Sequence, residues 1–353
     1  MTDKYLLVKG VAGLGNRVFA LVTAILYARL SDRTLIVDWG DNQYSQAGEN
    51  TFSKLFELVD IPHVQQLPPT ESACPPSVYP ALWQQRLKKP IWKVIKKDLV
   101  RQGTKEAGQL IAAMGQNVFK RYAYDVSRPD YAEDVVIAAS YIEEIDRMRP
   151  LFVGDYARFR WARKRAIFQE IFHTHLALAP AVQQRLVAFK ETYFQGTQVV
   201  GIHVRKSDKA ISYLRYKRAL AKQMKRCPDA RIFLATDNRE VEQELSALYP
   251  GVFTLDKWLP APGIKAHGNK DCPDLSEHAV TALLDILLLA SCDYLIYSRA
   301  TSFGLLASYI TAIPTANQTD VRTSFGEKLS KVKNKAQDMN CYLSGLLKLR
   351  ATN

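Results

Sequence analysis

The chain has 353 residues, 47% hydrophobic and 24% charged, with a formal charge of +13 at pH 7. That composition describes a globular protein, excludes a disordered or fibrous one, and at this length points to two domains. The positive excess favours an anionic partner: nucleotide, anionic lipid, acidic glycan or nucleic acid. Most of it sits in one segment, since Trp83 to Tyr122 carries ten Lys/Arg against two acids.

No apolar run is long enough to span a bilayer. The first residues, with Asp3 among them, lack the apolar core and cleavage site of a signal peptide. Five cysteines (Cys74, Cys227, Cys272, Cys292 and Cys341) are scattered, and none forms a Cys-x-x-Cys pair. A disulfide framework or cysteine zinc site is not expected, and a reducing cytoplasm fits.

Tyr5 to Lys9 reads as a first strand. It runs into Gly10-Val-Ala-Gly-Leu-Gly-Asn-Arg17 and then an apolar-periodic helix over residues 18–30. Strand, glycine turn and helix together point backbone N–H groups at an anion. Gly13 and Gly15 would let a phosphate approach the backbone closely. The pattern is neither the dinucleotide fingerprint nor a Walker A loop, and a plain tight turn accounts for it equally. Arg33-Thr-Leu-Ile-Val-Asp-Trp39 is a second strand, so a βαβ unit and a parallel sheet are expected. Asp38 lies at its carboxyl end, where a catalytic carboxylate or, more commonly, a turn or capping aspartate is found. A polar loop over residues 40–50 follows, and residues 62–80 read as irregular.

In residues 83–99, Ile91, Trp92, Ile95 and Leu99 fall at helical spacing with Lys93, Lys96 and Lys97 between them. A basic amphipathic helix bearing Trp is a candidate for an anionic membrane surface. The commoner use of such a helix is to pack its apolar face on the core. Residues 135–140 read as another buried strand. A helical stretch opens at Phe159 and continues past Pro180 to about Tyr193. His173 and His175 are too closely spaced for zinc ligands on one helix face.

Val199 to Val204 is a short apolar run with β-branched residues, read as a buried strand. It carries His203 and delivers Arg205, Lys206, Asp208 and Lys209 at its carboxyl end, where open α/β sheets bind ligands. Arginine there suits phosphate, because its planar fork takes two oxygens at once. A helix over residues 213–226, a strand ending in Thr236 and Asp237, a helix over 241–248 and a strand over 251–256 build a second doubly wound sheet. After a long loop (257–274) comes an apolar helix containing Asp285, whose buried carboxylate needs a partner. Guanine offers parallel N1–H and N2–H donors; a neighbouring Lys or Arg would serve as well, and comes first. A strand over 293–298 leads to Thr301 and Ser302 at another strand-to-helix turn, an anion site or ordinary caps. Residues 325–349 read as a basic amphipathic helix. The expected domains are 1–185, 186–320 and a basic tail, 321–353.

Four stretches in order, Gly13-Leu-Gly-Asn-Arg17 with residues 33–39, Gly201-Ile-His-Val-Arg205, Leu234-Ala-Thr-Asp237, and Leu284-Asp285 with Thr301-Ser302, resemble the α1,6-fucosyltransferases. The nodulation-type members look nearer than the mammalian core enzymes. The resemblance covers about residues 5–39 and 166–310. It implies a GT-B fold, two Rossmann-like doubly wound domains facing across a cleft, and a GDP-fucose donor bound mainly by the second domain without a metal. By the same resemblance Arg205 would hold the β-phosphate and assist the leaving group. His203 and Asp285 would contact guanine, Asp237 would line the donor site, and Thr301, Ser302, Gly13, Gly15 and Asn16 would border the phosphates. The acceptor would be an oligosaccharide or glycolipid.

One departure stands out: core fucosyltransferases carry a glutamate shortly after the arginine motif, whereas residues 210–223 here hold no acid. The base candidates are Asp38, Asp208 and Glu49. Transfer of another GDP-linked sugar, or catalytically silent GDP-sugar binding, remain alternatives. No nucleic-acid module is recognisable.

Overall fold

The computed structural model describes residues 4–45, 49–69, 75–101, 115–206, 212–261, 264 and 269–321. Asp208 and the expected tail helix (325–349) lie outside the described residues.

The first half opens with β1 (Tyr5–Lys9), α1 (Leu14–Leu30) and β2 (Thr34–Asp38). Then come α2 (Phe52–Leu55), β3 (Phe56–Leu58), β4 (Val78–Tyr79), α3 (Ile91–Arg101), α4 (Phe119–Tyr122) and β5 (Val135–Ala138). β1 is flanked by β2 and β5 in a parallel four-stranded sheet of order β2-β1-β5-β4. α1 buries fourteen of its seventeen residues. A helix apolar all round has no face for water, and α1 has none. It packs on the sheet and on three further helices, α5 (Lys164–His175) and two of the second half.

The long helix expected from Phe159 to Tyr193 is broken. Leu176–Leu178 forms β6, antiparallel to β3, and α6 (Pro180–Tyr193) starts afresh. The residue before a proline avoids helical backbone, and Ala179 is accordingly extended, with Pro180 at the start of α6. The basic stretch takes the commoner of its two readings. Trp83 is fully buried in a 3-10 turn, and α3 turns Ile91, Val94, Ile95 and Leu99 inward, leaving its lysines outside. This helix is core-facing.

The second half contains β7 (Val199–Val204), α7 (Tyr213–Met224), β8 (Arg231–Thr236), α8 (Arg239–Leu248) and β9 (Val252–Phe253). It continues with α9 (Leu275–Ala290), β10 (Tyr294–Tyr297), α10 (Ser302–Ile310) and β11 (Gln318–Asp320). All five strands are parallel, in the order β11-β10-β7-β8-β9. The chain moves outward from β7 through β8 and β9, then returns to β10 on the other side. The order therefore reverses between β7 and β10, and such a switch point opens a crevice at the carboxyl ends of the strands.

Period-two alternation divides β7 between two layers. Val200, Ile202 and Val204 join Tyr216 and Leu220 of α7 and Val241 and Leu245 of α8 in one core. Val199 belongs with Leu284 and Leu288 of α9 in the other. His203 shares the parity of Val199 and so faces α10. The second core is continuous with the first half: Phe19 of α1, Phe168 of α5 and Tyr309 of α10 form a ring triangle with centroids 5.1, 5.3 and 5.2 Å apart. Each buried aromatic of this kind contributes roughly 1.5–3 kcal/mol. No described helix is long and apolar enough to cross a membrane.

Candidate functional site

The crevice at the switch point is furnished from three directions. β7 ends at Val204, so Arg205 is its first residue beyond the sheet. Val204 is opposite Thr236 in the parallel register, which brings Asp237 beside Arg205. Arg205 Nε and Asp237 Oδ2 are 3.8 Å apart, and both side chains are 19% exposed. The other carboxylate oxygen of Asp237 accepts the Lys206 amide at 3.1 Å. Asp237 thus tethers the arginine while leaving its guanidinium in the crevice.

On the other flank, β10 runs into the turn before α10. Thr301 is the N-cap: its hydroxyl accepts from Gly304 N–H at 3.4 Å and donates to the Ser298 carbonyl at 3.1 Å. The same oxygen lies 3.4 Å from His203 Nδ1. With the hydroxyl proton committed to Ser298, Nδ1–H is the donor to Thr301, and Nε2 carries the imidazole lone pair. The His203 ring stacks on Phe303, centroids 4.7 Å apart and planes 18° from parallel. Burial, reinforced by the charges of Arg205 and Lys257, pushes the imidazole pKa down to about 3, so it is neutral at physiological pH. A Cβ on Gly304 would lie 2.9 Å from His203 Nδ1, so this stack requires glycine there.

Asp285 of α9 has the partner that its burial demands. Lys257, in the loop after β9, donates to Oδ2, while Oδ1 is buried without a hydrogen bond among the described residues. Burial raises the carboxyl pKa and Lys257 pulls it back. The partner seen is the neighbouring lysine, which answers one oxygen and leaves the other as an acceptor. His203, Arg205, Lys257, Trp258, Asp285 and Phe303 line a cavity of about 80 Å³. An apolar cavity of about 150 Å³ holds benzene, so this one is smaller than a purine needs.

A larger cavity, about 460 Å³, lies between the two halves. Gly13, Asn16, Glu143, Arg205, Arg299 and Ser302 are among its lining residues. Arg205 lines both cavities. The glycine turn reaches the site through tertiary anchors. Arg17 is fully buried: its Nη2 meets both oxygens of Asp41 at 2.8 and 2.7 Å, and its Nε donates to the Ala12 carbonyl at 3.0 Å. The Leu14 amide donates to the Tyr44 hydroxyl at 3.0 Å. Gly13 precedes α1 with extended backbone and no side-chain cap. Gly15 does a different job from the one read in sequence, because the backbone it admits closely is that of Ser302 in the other half.

His203, Arg205, Asp237, Asp285, Thr301, Ser302, Gly13 and Asn16 are thus brought to one crevice. Asp38 is not. Its Oδ2 pairs with Lys9 at 2.5 Å and its Oδ1 accepts the Gly40 amide at 2.9 Å, the ordinary turn role of an aspartate. Glu49 is half-exposed and pairs with Lys54 at 2.8 Å. His173 Nε2 and His175 Nδ1 donate to the carbonyls of Ile310 and Val59, at 3.1 and 3.0 Å. Lining residues not singled out in sequence include Lys257, Trp258, Phe303, Arg299 and Glu143. Glu143 follows β5 past its carboxyl end, so the strand-end rule that selected Arg205 and Asp237 would also have found it.

The family model for nodulation protein Z (NodZ) matches residues 152–337, more than half of the chain. Nodulation protein Z of Bradyrhizobium diazoefficiens is 26% identical over 321 residues, 85% of this chain and 77% of that protein. The Sinorhizobium fredii protein of the same name is 24% identical over 323 residues, 86% and 89% of the two chains. Among solved structures, NodZ α-1,6-fucosyltransferase soaked with GDP-fucose superposes with a TM-score of 0.56 at 21% identity, covering 88% of this chain and 93% of that one. A mutant of Arabidopsis thaliana FUT1 in complex with GDP gives 0.54 at 15% identity, covering 88% and 69%. At those identities the likeness is one of fold, and the shared fold is GT-B: two parallel, Rossmann-like sheets facing across a cleft.

Proposed function

This chain belongs to the nodulation protein Z family, and on that premise we propose that it transfers fucose from GDP-fucose to a hydroxyl of a glycan or glycolipid-type acceptor, with inversion and without a metal ion. The observation that carries the reading is the position of Arg205, which lines both the small cavity with Asp285 and His203 and the larger one with Gly13, Asn16 and Ser302. A nucleoside diphosphate laid from one cavity to the other would set its phosphates against that guanidinium.

Guanine fits the small cavity by hydrogen-bond polarity. The unsatisfied Oδ1 of Asp285 and the Nε2 lone pair of neutral His203 are both acceptors, and guanine presents the N1–H and N2–H donors. As the sugar–phosphate bond stretches, negative charge grows on the diphosphate. Fixed positive charge aimed at that point is commonly the largest single catalytic contribution, and Arg205 supplies it here.

Calorimetric titration of GDP, UDP and ADP, with and without EDTA, followed by GDP-fucose turnover on a panel of oligosaccharides, tests this reading. GDP should bind best, the chelator should change nothing, and fucose should move to an acceptor. A preference for UDP, or a chelator-sensitive GDP affinity, overturns it; GDP binding without fucose release on any acceptor marks a silent binder.

Peripheral contact with an anionic membrane at its cytoplasmic face belongs to the same proposal, through a surface other than α3. Trp161 is 88% exposed beside the exposed Arg158, Arg160 and Arg163. Aromatic and basic side chains together favour an anionic interface. Co-sedimentation with phosphatidylserine vesicles should weaken for Trp161→Ala; equal sedimentation of both proteins removes this surface from the proposal.

A further inference from the structure

Transfer to a hydroxyl requires a group that takes the acceptor's proton. Of the acids considered from sequence, Asp38 is committed to Lys9 and Gly40, and Glu49 to Lys54. The larger cavity is lined by one carboxylate among the described residues, Glu143.

The local sequence explains why that carboxylate faces the crevice. β5 is buried along its whole length and releases the chain at the carboxyl edge of the first sheet. Ser140 then closes a tight turn: its hydroxyl donates to the Ile142 carbonyl at 2.9 Å and accepts the Ile142 amide at 3.1 Å. Beyond the turn, the Glu144 amide donates to Thr23 Oγ1 of α1 at 3.1 Å. Tyr141, Ile142 and Glu143 are held between these two anchors and line the cavity. Glu143 is fixed in turn. Its Oε1 receives Lys164 of α5 at 2.5 Å, its Oε2 accepts the Ile145 amide at 3.3 Å, and its side chain is 14% exposed.

We propose that Glu143 is the catalytic base of the transfer, facing the leaving-group arginine across the larger cavity. The inference rests on the GDP-fucose reading above. The acceptor O–H gives its proton to a Glu143 carboxylate oxygen. The freed oxygen pair forms the bond to the anomeric carbon. The bond from that carbon to the β-phosphate oxygen breaks, and its electron pair leaves with GDP toward Arg205. Glu143 returns the proton to water once product has gone. Lys164 acts as a positioning residue, holding the carboxylate ionised while leaving Oε2 with only one long hydrogen bond.

Burial raises the Glu143 pKa, and Lys164 with the Ile145 amide opposes the rise. A base with elevated affinity for protons is better suited to proton removal than an exposed carboxylate. The charged neighbours from each packed element are Lys164 of α5, Asp146 of the following 3-10 turn, and Arg205 and Arg299 across the cavity. Tyr309 of α10 also faces the pair.

The experiment measures fucose transfer and GDP affinity of the full chain across pH for wild type, Glu143→Gln, Glu143→Asp and Lys164→Met. Glu143→Gln should lower kcat by about 10²- to 10⁴-fold, with the GDP Kd unchanged and the acid limb of the kcat/KM profile abolished. Glu143→Asp should recover part of the rate. Lys164→Met should move the acid limb to higher pH, because it removes the charge that favours the carboxylate; a purely structural pair would change only the melting temperature. Wild-type kcat with an intact acid limb in Glu143→Gln overturns the assignment while leaving the fucosyl-transfer reading standing. No GDP binding or fucose transfer by the wild type overturns both.

Discussion

Gly15 at the start of α1 and Ser302 at the start of α10 touch backbone to backbone across the crevice. A Cβ built on Gly15 would lie 2.7 Å from both the carbonyl carbon and the carbonyl oxygen of Ser302. Neither is the end of a flexible side chain, so a methyl group forces two helix N-termini apart. Overpacking of this kind costs about 1–3 kcal/mol. Gly15→Ala should therefore unfold at lower urea concentration and bind GDP less tightly. Unchanged GDP affinity would mean that the two turns need not meet to hold the diphosphate.

Arg205→Ala should lower kcat by roughly 10²- to 10³-fold, as loss of a transition-state donor commonly does. The GDP Kd should change less, because the charge that Arg205 meets develops during bond breaking. Arg205→Lys should restore little, since a point charge cannot span two oxygens. Asp237→Asn, which loosens the 3.8 Å tether to Arg205 without removing the guanidinium, should fall between wild type and Arg205→Ala. Steady-state kinetics with GDP titration separates these outcomes.

Asp285→Asn leaves the Lys257 ammonium, 12% exposed, without its counter-charge. Removing one partner of a buried ion pair costs about 3–5 kcal/mol. The double variant Asp285→Asn with Lys257→Met should recover most of that loss but not the preference for GDP over UDP. Denaturation and nucleotide titration on wild type, Asp285→Asn, Lys257→Met and the double variant form a double-mutant cycle. A double variant that regains GDP selectivity would show that Asp285 does not read the base.

His203 gives a pH dependence with a definite sign. Its ordinary pKa is 6.5 and the folded value is about 3, lowered first by burial and then by Arg205 and Lys257. Above 6.5 neither the folded nor the unfolded state carries the proton. As the pH falls from 6.5 toward 3, the unfolded chain binds a proton that the folded chain refuses, so stability drops through that window. His203→Asn should lose stability less steeply between those pH values than wild type. Parallel slopes in urea titrations across that range would contradict a buried neutral imidazole.

Much of this was legible along the chain. The strand with His203 and Arg205, the Asp237 strand end and the Thr301 turn are local patterns: a short apolar run, a turn signal, then polar residues. They survive because a parallel strand is buried on both faces and must be apolar until it ends. What escaped depends on distant partners. Lys257 and Asp285 are joined only when the loop after β9 folds over α9. Glu143 shares a cavity with Arg205 only when the two sheets face each other. β11, with the sequence Gln-Thr-Asp, has no apolar character and exists because the edge of β10 pairs it. The Pro180 break is masked by periodicity that continues on both sides of it, although the backbone before a proline avoids the helical region.

The triangle of Phe19, Phe168 and Tyr309 has a consequence for how the enzyme must work. Two Rossmann-like halves joined by a wet seam can swing apart like a clamshell; these are joined by an aromatic cluster that borders the crevice. Wide opening would tear that cluster, so the two halves should stay together while substrate enters and product leaves. For the same reason neither half, expressed alone, should survive as a folded protein, since each would bare the side of α1 or α10 that the other keeps out of water.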